Sequence, residues 1–138
     1  MSDRSFVDTN VLVYAFDASA PVKQQRAWRI LAEDYRRLVI STQVLAEFYE
    51  AVTRKLASPL PEADAERAVN ALARLPVVAT DAALVVAGVE TSRRHRLSLR
   101  DSLIVQAAKI YGCGQILSDD LQTGVTIEGV TVVDPFAA

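Results

Sequence analysis

The chain has 138 residues, a length suited to one compact domain spanning residues 1–138. Hydrophobic residues make up 51% and charged residues 23%, enough apolar sequence for a core and no basis for a disordered chain. The net charge of −2, one cysteine (Cys113), no apolar leader and no run near the ~18 apolar residues of a membrane span exclude an overtly basic domain, an internal disulfide, a secretory signal and a spanning helix, leaving a soluble cytoplasmic protein as the expectation.

Short β-rich runs alternate with longer helical patterns. Residues 5–7 read as a strand and 10–16 as a short helix. Pro21 suits the first position of a helix reaching about residue 37. Residues 38–41 form a strand, and Thr42 is placed to cap a helix running to about residue 57. Val44, Leu45, Phe48, Val52 and Leu56 share one face of that helix. The prolines at 59 and 61 break the chain before a helix over 62–75. A β run over 76–80 precedes helices over 81–96 and 98–111, the second stopping at Gly112. Residues 115–118 and 130–133 read as the last strands. The alternation predicts an α/β fold with a parallel sheet of four to five strands, covered by helices on both faces. In such sheets ligands bind beyond the carboxyl ends of the strands.

That edge is where acids gather. Phe6-Val7 runs into Asp8, and Ile116-Leu117-Ser118 runs into Asp119-Asp120. Glu47 borders the apolar stripe of its helix. Asp101 falls within roughly 60° of Ile104, Val105 and Ala108 at about 100° per residue, an odd neighbourhood for a charge. Singly, each has a bland reading. Asp8 or Thr9 can cap a helix, Ser98-Leu-Arg-Asp101 fits a capping box, Glu47 can be a solvated edge residue, and Asp119-Asp120 can open a turn. Together, a parallel sheet would make them converge. Clustered carboxylates repel one another, so a cation must offset the cost. With one histidine and one cysteine no zinc-type cluster can be built, whereas an all-oxygen site suits Mg²⁺ or Mn²⁺. Such ions activate water and stabilise a leaving oxygen in phosphodiester cleavage.

Beside Asp101 lies SRRHRLSLRD, residues 92–101. Arg93, Arg94, Arg96 and Arg100 read either as cations at a helix C-terminus or as contacts to phosphates. Setting the five candidate acids aside leaves fifteen Lys and Arg against twelve acids, a mildly basic body around an acidic hole.

The segments VDTNVLVYAF, QVLAEFYEAVTRK, LSLRDSLIVQAAKIYGCGQILSDDLQTG and GVTVVDPF resemble PIN-domain ribonucleases, specifically the VapC-like toxins of bacterial toxin–antitoxin pairs. The resemblance covers nearly the whole chain. It implies a Rossmann-like PIN sheet and a Mg²⁺- or Mn²⁺-dependent endoribonuclease. It maps the four family acids onto Asp8, Glu47, Asp101 and Asp120, with Asp119 as an alternative ligand. Thr9, Asn10 and Ser118 match positions that orient the acids. It also implies an antitoxin that lays an apolar segment on the toxin, and a homodimer. Two positions depart from the family pattern: Arg100 stands where an aromatic is common, and Asp134 opens a D-P-F ending usually read as N-P-F. Trp28, Tyr35 and Tyr49 are expected in the core rather than on a partner surface, His95 as a phosphate contact or plain surface, and Cys113 as a small buried filler. Two other readings remain: a phosphatase with Asp8 as nucleophile, and a non-catalytic module whose acids dock a basic partner.

Overall fold

The computed structural model describes residues 3–137. Strands β1 (Ser5–Val7), β2 (Leu38–Ser41), β3 (Val77–Val78), β4 (Gln115–Leu117), β5 (Thr126–Ile127) and β6 (Val130–Val133) form one sheet in the order β3-β2-β1-β4-β6-β5. All neighbours pair in parallel except β5 and β6. Helices α1 (Thr9–Tyr14) and α2 (Pro21–Glu33) connect β1 to β2, α3 (Thr42–Arg54) and α4 (Glu62–Leu72) connect β2 to β3, and α5 (Ala82–His95) and α6 (Leu99–Ile110) connect β3 to β4. Every residue of β1 and β2 is buried, so both faces of the sheet centre are covered. Helix α6 crosses that centre against β1, β2, β4 and β6. No helix among the described residues is long and apolar enough to cross a membrane.

The sheet has six strands where four to five are expected. The addition is β5, two residues joined to β6 by Glu128 and Gly129, both at positive φ (53° and 85°). That is the geometry of a type I′ hairpin turn, which usually advertises itself by Asn-Gly or Asp-Gly. Glu at the first position hides it.

Other differences are local. Ser41, not Thr42, caps α3: as the last strand residue it is extended (φ −129°, ψ 167°), and its hydroxyl accepts the Val44 N–H at 3.2 Å. The Thr42 hydroxyl instead accepts the Thr80 N–H, tying down the segment after β3. Helix α2 stops at Glu33 and a 3₁₀ turn, Tyr35–Arg37, completes the connection. Trp28 and Tyr35 are not core residues, being 50% and 45% exposed. Helix α2 buries only Ala27 and Ile30, which leaves Trp28 on its flank against Phe16 (ring centroids 5.8 Å). Tyr49 is partly buried against the core, and Cys113 is buried as expected, its thiol pushed up to about 11 by burial.

Candidate functional site

Strands β1 and β4 are neighbours, with Val7 opposite Leu117, and the Asp8 N–H continues the ladder to the Leu117 carbonyl at 3.0 Å. The order reverses here: β2 and β3 lie to one side of β1, and β4, β6 and β5 to the other. Asp8 therefore stands at the switch point of the sheet, where the chain opens a crevice. It is wholly enclosed. Its Oδ1 accepts the Thr9 N–H at 2.7 Å, so it is the cap of α1 as well as a member of the constellation. Its Oδ2 accepts the Ser118 hydroxyl at 2.9 Å. Ser118 Oγ accepts in turn from the backbone N–H groups of Asp120 and Leu121, at 3.1 and 3.2 Å. One buried hydroxyl thus fixes both the first acid and the loop carrying the last.

Glu47 comes from the second turn of α3, which starts at the same edge because it follows β2 directly. Its Oε1 accepts the Thr9 hydroxyl at 2.6 Å, and its Oε2 accepts the Gln43 amide at 3.4 Å. Asp101 lies in the first turn of α6. Half of the expected capping box forms: Ser98 Oγ accepts the Asp101 N–H at 3.1 Å, but the Asp101 carboxylate meets Arg100.

Arg100 fills the space between these acids. Nη2 donates to Asp8 Oδ1 at 2.7 Å and to Glu47 Oε1 at 3.0 Å, Nε to Glu47 Oε2 at 3.2 Å, and Nη1 to Asp101 Oδ1 at 3.1 Å. Burial alone would lower its pKa. The hydrogen bond and charge of Asp8, followed by those of Glu47, outweigh burial and hold it above the ordinary arginine value.

Asp120 and Asp119 part company. Asp120 faces the crevice, where Asn10 donates to its Oδ2 at 2.6 Å. Its pKa is raised, first by burial, then by the charges of Asp119 and Asp8, with Arg100 offsetting part of this and Asp101 adding to it. The guanidinium therefore leaves repulsion in the cluster unrelieved. Asp119 turns instead to Lys23 (3.4 Å), whose ammonium also donates to the Tyr14 hydroxyl and lies over the Tyr14 ring. The other Asp119 oxygen is buried without a hydrogen-bond partner. Lys23 carried no sequence signal. Gln43 did, lying four residues before Glu47 on one helix.

The four arginines do not act as one surface. Arg100 alone reaches the acids. Arg94 and His95 pair with Glu128 at 3.1 and 2.8 Å, joined by Lys109 at 3.1 Å. Glu128 sits in the turn that precedes β6, hence at the amino edge of the sheet, opposite the acids. Arg96 is exposed at the left-handed end of α5 (φ 56°), and Arg93 lines a separate depression with Val89, Glu90 and Arg94. The His95 hydrogen bond, then those of Lys109 and Arg94, hold the Glu128 carboxyl at about 2. A depressed carboxyl contributes stability that is present above its unfolded value of 4.5 and lost as pH falls towards 2. Glu128→Gln should flatten that part of the acid limb, measured by denaturant unfolding at stepped pH; an unchanged limb would mean that the cluster contributes nothing.

A crevice of about 570 Å³ opens over the acids, lined by Thr9, Asn10, Glu47, Arg100, Asp101 and Asp120 and continuing along α3 to Lys55. Its anionic donors are all carboxylate oxygens, a set that suits a hard divalent ion. Among the described residues, no three acidic, histidine or cysteine groups stand close enough to form a metal cage as placed. Arg100 stands between them, its Nη2 in contact with both Asp8 and Glu47. The acids fit a divalent ion in chemistry and in direction, and a guanidinium sits among them.

Solved structures share the fold. Mycobacterium tuberculosis VapC20, a sarcin–ricin-loop-cleaving toxin, is 21% identical with a TM-score of 0.68, over 84% of this chain and 91% of its own. A toxin–antitoxin complex from Klebsiella pneumoniae is 18% identical, with a TM-score of 0.68 over 95% and 97%. VapBC2 from Rickettsia felis, bound to a promoter DNA fragment, is 16% identical, with a TM-score of 0.63 over 93% and 96%. No curated protein sequence gives a significant match. The family model for the PIN domain matches residues 5–123, nearly all of the α/β unit from β1 through the loop that carries Asp119 and Asp120. With that match joined to this sheet order and this acidic edge, the chain belongs to the PIN-domain family.

Proposed function

We propose that the chain is a PIN-type nuclease toxin, and more narrowly a Mg²⁺- or Mn²⁺-dependent endoribonuclease. The observation that carries this reading is the convergence of Asp8, Glu47, Asp101 and Asp120 on one crevice at the switch point of a PIN sheet. Those four residues would hold the ion, with Asp119 set back against Lys23. When bound, the ion supplies activation of water and neutralisation of phosphate charge. The chain supplies the rest. Ser118 and Thr9 fix Asp8 and Glu47, Asn10 holds Asp120, and Arg100 is the nearest cation for the scissile phosphate. Arg96, exposed on the turn into α6, and Arg93 are left for more distant phosphates. The expected products carry a 5′-phosphate and a 3′-hydroxyl.

The aspartyl-phosphate alternative gains nothing from the site. Asn10 stands where such enzymes often keep a second acid, and its amide is spent on Asp120.

An antitoxin and a second copy of the chain are the proposed protein partners. The solved relatives include toxin–antitoxin complexes, and Val22 and Trp28 on α2 and Val86 and Val89 on α5 offer exposed apolar surface.

The test is RNA-end sequencing after brief induction, paired with cleavage by the purified chain. New ends of the stated chemistry should appear. Chelation should abolish cleavage, and added Mn²⁺ or Mg²⁺ should restore it. Cleavage that persists through exhaustive chelation would overturn the metal-dependent reading, and an unchanged RNA pool would overturn the nuclease.

A further inference from the structure

We propose that Arg100 and the divalent ion occupy the acidic crevice alternately, so that the chain carries its own competitor for the metal. This rests on the metal-dependent reading above and adds to it a residue that sets metal affinity.

Three nitrogens of one guanidinium meet acids from three elements: the end of β1, α3 and the first turn of α6. The contacts run from 2.7 to 3.2 Å. Mg²⁺ demands oxygens at about 2.0–2.1 Å in near-octahedral array. Asp8 and Glu47, which would hold the ion, both bond the same Nη2 of the guanidinium. Steric overlap and repulsion between the two cations therefore forbid joint occupancy. The acids stand too far apart to close on an ion while the guanidinium separates them.

The two sides of the contact differ in mobility. Asp8 is enclosed and pinned by Thr9 and Ser118. The Arg100 side chain is 34% exposed and reaches the acids on a long flexible stem from the start of α6. It can leave without disturbing the core, and Glu47 and Asp101 can then close in. A single positive charge also satisfies four converging carboxylates poorly: Arg100 bonds three of them, and the fourth, Asp120, is held by the Asn10 amide, so carboxylate repulsion is left over. A divalent ion offsets more of that repulsion, which gives the exchange its direction. Once displaced, the guanidinium remains tethered beside Asp101 at the mouth of the crevice, where a phosphate would arrive.

The experiment is calorimetric titration of the purified full chain with Mn²⁺, comparing wild type, Arg100→Gln and Arg100→Lys. Apparent affinity scales with the fraction of molecules in the open state, so if Arg100 leaves the site open in about a tenth of molecules or fewer, Arg100→Gln should bind about tenfold tighter or more. Arg100→Lys should fall between the two. A second readout needs no variant: the Arg100 Nε–H resonance of the wild-type chain should lose its solvent protection as Mg²⁺ is added. Equal or weaker Mn²⁺ binding by a folded Arg100→Gln, or an Arg100 resonance unmoved at saturating Mg²⁺, overturns the exchange while leaving the metal reading intact. Failure of both wild type and Arg100→Gln to bind Mn²⁺ overturns the metal reading, and the exchange with it.

Discussion

Asp8→Asn should cut RNA cleavage by about 10²–10³-fold or more, the scale lost when a group that positions or neutralises charge at a reacting centre is removed. The fold should survive. An asparagine carbonyl in the place of Oδ1 keeps the Thr9 N–H bond that caps α1. The difficulty lies on the other side, where an amide NH₂ would face Ser118 Oγ in place of an acceptor. That oxygen already accepts from Asp120 and Leu121, so the new donor finds a crowded partner. The charge-assisted bond from Arg100 also weakens, at a cost of order 1–2 kcal/mol. Against these losses, one carboxylate fewer reduces the repulsion felt at Asp120. The net stability change should stay within about 2 kcal/mol. Circular dichroism melts and RNA cleavage measured on the same preparation separate the two effects. Cleavage above a tenth of wild type by a cleanly folded Asp8→Asn would remove Asp8 from the reaction.

Asp8 was legible in the sequence because its signal is local. An apolar run ends in a carboxylate, and alternating strands and helices bring such ends to one edge. The same reasoning places Asp120 there, because β4 pairs with β1. Glu47 and Asp101 were legible as acids on the rims of apolar helix faces. The arginines show where this kind of reading stops. Arg93, Arg94, Arg96 and Arg100 sit within eight residues, and adjacency suggests a shared task. The chain turns sharply at Arg96, whose left-handed backbone redirects it from α5 to α6. Arg100 then reaches the acids, whereas Arg94 and His95 reach Glu128 at the far edge. Nothing local in the sequence announces Glu128, because its hairpin has a two-residue strand and an atypical turn residue. Trp28 was misjudged for a related reason: helical spacing marks a stripe, but the width of the buried stripe depends on how α2 meets its neighbours.

Glu47 and Phe48 are adjacent in the chain and should divide function from stability. Phe48 is fully buried and packs edge-on against Phe16, with ring centroids 5.5 Å apart. Phe48→Ala leaves a hole between α3 and the connection that follows α1, and such truncations cost about 3–5 kcal/mol. For a chain of this length that is a fall in Tm of roughly 10 °C or more. Glu47 has a third of its side chain exposed, and its partners Thr9 and Arg100 border the open crevice. Glu47→Ala removes a carboxylate that lines the crevice and little packing, so it should abolish cleavage while moving Tm by only a few degrees. Phe48→Ala, assayed well below its own Tm, should keep a substantial part of the wild-type rate per folded molecule, because it deletes no oxygen from the site. The order of the two variants in Tm and their order in rate should therefore be opposite. If Phe48→Ala is as inactive as Glu47→Ala while still folded, the position of α3 must be set by Phe48 so tightly that packing and catalysis are not separable at this helix. If Glu47→Ala keeps its activity, Glu47 is not among the residues that hold the proposed ion.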